Sequence, residues 1–244
     1  MSDDEIKLEG RVALLQLSPL FRDMTKLNHE VIASRAVGVV YARDERLYVQ
    51  GQTFRSLVLL RSGSVKISQL SSGGSEVIIR MHGTGSAVGM LSSLPVDQNS
   101  CHAVEKSTAL LWNHATFQDL KLSFPQIERN TNQILSTQLA ELEERFREVS
   151  TEQVTNRLAL TLLRLVTDVG RKVGTGIEIS LSRAELAQMI GTTSFTVSRI
   201  ISQWECKGIV IPGRNLITVC SLPLLELQML SSPWATMSRT GGFD

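Results

Sequence analysis

From about Val37 to Trp112 the chain alternates short β-rich runs, such as SLVLLRSGSVKISQL and HAVEKSTALLWN, with Gly and Ser turns. Even spacing of this kind predicts an antiparallel roll or barrel. Helical stretches flank it, Pro19 to about Arg35 before it and Ala115 to Leu122 after it. Pro125 then opens a long helix reaching about Val149, in which Leu135, Leu139, Leu142, Phe146 and Val149 are spaced 4, 3, 4 and 3. That is the a/d seam of a two-stranded coiled coil, and the charges between its members read as an ordinary solvated face. Ser150 and Thr151 predict a short hinge, followed by a helix over 152–169 whose apolar face includes Leu158, Leu162 and Leu165.

The last third of the chain carries the most specific pattern. Ser182 with Glu185 three residues on forms a capping box for a short helix, and Gly191 makes the turn after it. In the helix that follows, Val197, Ile200, Ile201 and Trp204 fall at i, i+3, i+4 and i+7 and must face a core. Two apolar runs, Ile209 to Ile211 and Leu216 to Val219, flank a turn of Pro212, Gly213, Arg214 and Asn215, which predicts a hairpin. Two helices, a tight turn and a hairpin make a winged helix-turn-helix. Its outward face presents Ser194, Phe195, Ser198, Arg199 and Ser202, which suit base edges: a guanidinium can fork onto guanine, hydroxyls can bond, and a ring can press on a thymine methyl. Arg183, Thr192, Thr193, Thr196 and Arg214 surround this face, and its resemblance to known winged helix-turn-helix proteins implies that they meet backbone phosphates.

Composition changes this picture little. The formal net charge is +1, so any nucleic-acid reading rests on the motif and not on bulk charge. The apolar runs are too short for a membrane span and the first residues, MSDDEIKLEG, are unlike a signal peptide, so a cytoplasmic protein is expected. Three widely spaced cysteines, Cys101, Cys206 and Cys220, indicate neither a disulfide framework nor a metal site. No nucleophile elbow, P-loop or HExxH run points to an enzyme.

The roll pattern YARDERLYVQGQTFRSLVLLRSGSVKI, the Gly89 turn in AVGML, the NRLALTLLRL helix and the helix-turn-helix together resemble the CRP/FNR family of bacterial transcription regulators. The resemblance implies an α+β chain: a β-roll effector or sensor domain over 1–124, a dimerisation helix and hinge over 125–150, a winged helix-turn-helix DNA-binding domain over 151–230, and a loose tail over 231–244. It implies a homodimer on a palindromic double-stranded DNA site, with RNA polymerase as a further partner. The effector pocket would be lined by Gly89, Met90, Leu91, Asn99, Ser100, Cys101 and, from the long helix, Leu142, a mostly apolar set suited to a small neutral or weakly polar ligand or simply filled by its own side chains.

Departures from the family narrow the ligand. Members that bind cyclic AMP carry a Glu where Met90 stands and an Arg-Ser pair where Asn99 and Ser100 stand, so the phosphate would lose its cation. The expected regulator is therefore gated by an effector other than cyclic AMP or is effector-independent. The oxygen-sensing members use an N-terminal cysteine cluster for an iron-sulfur centre, and no cysteine precedes Cys101. Four histidines, His29, His82, His102 and His114, keep a heme-based gas sensor open as an alternative, and the cysteines a thiol redox sensor.

Overall fold

The computed structural model describes residues 8–90 and 96–230, and the chain folds as two compact units that divide between Glu143 and Glu144. The first unit opens with α1 (Leu8–Leu17), a 3-10 turn (Pro19–Phe21) and α2 (Lys26–Ser34). The single helical stretch expected after Pro19 is thus broken, with Asp23 in a left-handed conformation and the Thr25 hydroxyl accepting the Asn28 amide to start α2.

Strands β1 (Val37–Tyr41), β2 (Arg46–Tyr48), β3 (Ser56–Ser62), β4 (Val65–Leu70), β5 (Glu76–His82), β6 (Ala87–Gly89), β7 (Ser100–Ala103) and β8 (Ser107–Asn113) follow. They form two antiparallel sheets in the orders β1-β8-β3-β6 and β2-β7-β4-β5. The continuous apolar run in β3 has a simple cause: the strand is buried on both faces. Leu57 and Leu59 join a cluster with Leu20, Phe21, Trp112 and Phe117, while Val58 and Leu60 face the second core with Val65, Ile67, Val88 and Cys101. Trp112 is fixed at that junction, donating from Nε1 to the Ile32 carbonyl at 3.0 Å.

After β8 the Asn113 side chain caps α3 (His114–Ser123), and Pro125 takes the first position of α4 (Pro125–Thr151). The expected hinge at Ser150 and Thr151 lies inside this helix. Both hydroxyls bond back to carbonyls four residues earlier, Ser150 to Phe146 at 2.9 Å and Thr151 to Arg147 at 2.8 Å, instead of capping a new helix. The break falls at Glu152 and Gln153.

The second unit contains α5 (Val154–Asp168), β9 (Arg171–Val173), β10 (Gly176–Ile179), α6 (Arg183–Ile190), α7 (Ser194–Cys206), β11 (Val210–Gly213), β12 (Leu216–Val219) and α8 (Leu222–Leu230). The β11-β12 hairpin is part of a sheet ordered β11-β12-β10-β9, and α8 packs on α5. The architecture is the one the patterning predicts: a β-roll, a long helix and a C-terminal winged helix-turn-helix. The β9-β10 hairpin and α8 are additions to it. Leu91 and the tail from 231 lie outside the described residues.

Candidate functional site

The helix-turn-helix is held by the contacts its sequence encodes. Ser182 Oγ accepts the Glu185 amide at 3.2 Å, and Glu185 Oε2 accepts the Ser182 amide at 2.9 Å, closing the capping box of α6. Gly191 follows in the left-handed conformation, φ 65°, which ends α6 without strain. The Thr193 hydroxyl then caps α7, accepting the Thr196 amide at 3.2 Å. Val197, Ile200, Ile201 and Trp204 are buried beneath α7.

With that face committed to the core, Ser194, Phe195, Arg199 and Ser202 are exposed, and Ser198 is half-buried between them. Phe195 is 79 % exposed, a large ring kept in water by no internal need. Gln203, also exposed and one turn beyond Arg199, extends the same face and was not among the residues singled out from the sequence. Of the residues assigned to phosphate, Arg183 is exposed at the first position of α6 and Arg214 in the hairpin turn. That turn is tighter than the sequence pattern suggests: Gly213 still pairs with Leu216, leaving only Arg214 and Asn215 as loop. Thr192 and Thr196 are half-buried, and the Thr193 hydroxyl lies 3.0 Å from that of Thr196.

A cavity of about 510 Å³ opens in the first unit. Gly89, Asn99 and Leu142 line it, as do Leu135 and Leu139 from α4. Gly89 has φ 98°, and a Cβ there would run into the Ser56 carbonyl oxygen and crowd the Phe54 ring. Three residues expected in the pocket stand elsewhere. Met90 packs against the Trp112 cluster, with its sulfur 3.4 Å from His114 Nδ1. Ser100 Oγ accepts the Gln50 amide at 3.0 Å, and Cys101 is buried in the second core, packed with Val58, Leu60 and Val65. Burial pushes the Cys101 thiol well above its ordinary range, against the pull of a hydrogen bond to Tyr48. It therefore stays protonated and unreactive.

The walls also hold polar groups that periodicity did not flag. Asp97 ties the rim together, its Oδ2 accepting the Phe54 amide at 2.8 Å and its carbonyl the Gly51 amide at 2.8 Å. Gln69, Gln138, Arg80 and His82 also line it. Of the other histidines, His29 is buried with Nε2 2.9 Å from the Phe21 carbonyl oxygen, and neither His102 nor His114 lines the cavity. Among the described residues no group of His, Cys, Asp and Glu could hold a metal ion, and no helix is long and apolar enough to cross a membrane.

Residues 38–123 match the cyclic nucleotide-binding domain, and residues 156–227 match the Crp-like helix-turn-helix domain. The chain is 28% identical over 211 residues to a cyclic AMP receptor protein of Thermus thermophilus, covering 86% of this chain and 95% of the relative. It is 24% identical to the transcriptional activator protein FnrA of Stutzerimonas stutzeri, covering 87% of each. It is 25% identical to a global nitrogen regulator of Synechococcus elongatus, covering 77% of this chain and 87% of that protein. FixK2 from Bradyrhizobium japonicum shares the fold with a TM-score of 0.71 at 22% identity, over 81% of this chain and 98% of the other. With both domains matched in this order and regulators related to it along most of its length, the chain belongs to the CRP/FNR family of transcription regulators.

Proposed function

We propose that the protein is a homodimeric regulator that binds a palindromic DNA site, with DNA affinity gated by an effector other than cyclic AMP. The observation that carries the dimer is the outer stripe of α4. Leu139 and Leu142 are 58% and 49% exposed, and further along the helix Phe146 and Val149 are 75% and 52% exposed. Four large apolar side chains at coiled-coil spacing, left in water on one helix, call for a partner, and a second copy supplies the matching seam with Leu135. A twofold axis then suits a palindrome, each α7 entering a major groove. Ser194, Phe195, Ser198, Arg199 and Ser202 read bases in this proposal, while Arg183, Thr192, Thr193, Thr196 and Arg214 meet phosphates.

The cavity supports gating because Leu135, Leu139 and Leu142 belong both to its wall and to the seam. A ligand there can bias how two long helices meet, to the extent of its differential affinity for the two arrangements. The positions that hold the ribose and phosphate in cyclic AMP binders are changed: Met90 packs against a core, Asn99 stands where the arginine would, and the Ser100 hydroxyl accepts the Gln50 amide. The names of the relatives point to no single ligand, since one is a cyclic AMP receptor and another a nitrogen regulator.

The test is a titration of purified protein onto a selected palindromic duplex, with and without cyclic AMP. Tight binding that cyclic AMP leaves unchanged is expected. A gain of tenfold or more, about 1.4 kcal/mol, would contradict the proposed gating.

A further inference from the structure

Arg80 is a half-buried cation in the cavity wall, and it is tied to α4. It stands on β5, the edge strand of its sheet, where Ile67 pairs with Arg80 and Ser68 with Ile78, so that Ile79 is an extra residue in the strand. Arg80 and His82 are two residues apart and share one face, and Ile79, Arg80 and His82 all line the cavity. The Arg80 side chain is only 13% exposed. Its Nη2 donates to the Gln138 carbonyl at 3.1 Å and lies 3.3 Å from Oε2 of Glu141. One guanidinium therefore pins one turn of α4 to the edge strand, at the turn that forms the cavity's helical wall.

We propose that the cavity takes an organic monocarboxylate with an apolar body, whose carboxylate competes with Glu141 for Arg80 and so loosens α4 from β5. This rests on the reading that the roll gates DNA binding. The Arg80 guanidinium offers paired N–H donors and a positive charge, which select a carboxylate over a neutral group. Glu141 is a weak holder, because its side chain is 47% exposed and its attraction is screened by water. A ligand carboxylate inside the cavity is screened less. Part of the wall is aliphatic, with Ile67, Ile79, Val88 and Leu135, and that part accepts a hydrocarbon body. Asp97 adds a negative charge to the same wall, which favours a single charge over a phosphate dianion.

The experiment is calorimetric titration of the full-length protein with hexanoate and with its neutral amide, hexanamide. Hexanoate should bind at least tenfold more tightly than hexanamide. Arg80→Gln should erase that preference, Arg80→Lys should keep part of it, and Glu141→Gln should tighten hexanoate several-fold by removing a competing carboxylate. Glu141 is half-exposed, so this last variant reports on the site even if Arg80→Gln does not fold. Operator affinity of ligand-free Glu141→Gln should move in the same direction as that of the natural protein given hexanoate. Equal affinity for acid and amide, or no binding of hexanoate at millimolar concentration by either the natural protein or Glu141→Gln, overturns the proposal. Binding of the natural protein to its operator, measured alongside without ligand, separates that result from failure of the DNA-regulator reading.

Discussion

Arg183 and Arg214 are exposed at the start of α6 and in the β11-β12 turn, and neither is needed to hold the fold. A cation that only pairs with phosphate contributes affinity for any sequence, and its loss reduces the number of counterions released on binding. Arg183→Ala and Arg214→Ala should each weaken DNA binding about equally for specific and unrelated duplexes, and each should lower the slope of log affinity against log salt by about 1. Binding isotherms across a salt series check this, and an altered consensus with an unchanged slope would contradict it. The exposed face of α7 was legible because helical periodicity assigns both faces once one is apolar. Met90 and Cys101 were not. Their sides follow from the turn at Gly89 and the register of β7, which depend on strands distant in sequence.

At the scale of elements, the seam on α4 is the feature on which the proposed dimer depends. Leu139→Asp would bury a carboxylate against its symmetry mate without a counterion. The variant should sediment as a monomer and bind the palindrome at least tenfold more weakly; an intact dimer would move the interface elsewhere. The same helix holds a charge that periodicity misread as solvated. The Glu148 side chain is 4% exposed and meets Arg164 of α5 through two bonds, at 2.6 and 2.7 Å. Arg164→Ala would leave that carboxylate buried without its partner, so chemical denaturation should show a loss of about 3 kcal/mol, and a change below about 0.5 kcal/mol would show the pair to be dispensable. Such pairs are hard to read in sequence because a Glu on a helix looks the same whether a partner 16 residues on folds back to it or not.

For the whole molecule, the α+β order of roll, long helix and winged helix-turn-helix was legible because each part announces itself by a different hydrophobic period. Its division was less so: the chain divides into its two units between Glu143 and Glu144, inside a continuous helix, where no Gly or Pro marks a boundary. The polar lining of the cavity was also hidden, since Arg80, Asp97 and Gln138 come from three segments that only the fold brings to one wall. The central claim is that a symmetric pair of α7 helices reads DNA through the face bearing Arg199. Selection from a randomised duplex library, run with the natural protein and with Arg199→Ala, tests it most directly. A twofold-symmetric site is predicted, with a guanine in each half that loses its preference in the variant by roughly 1 to 3 kcal/mol of discrimination. An asymmetric site, or a consensus identical in both proteins, would contradict the account.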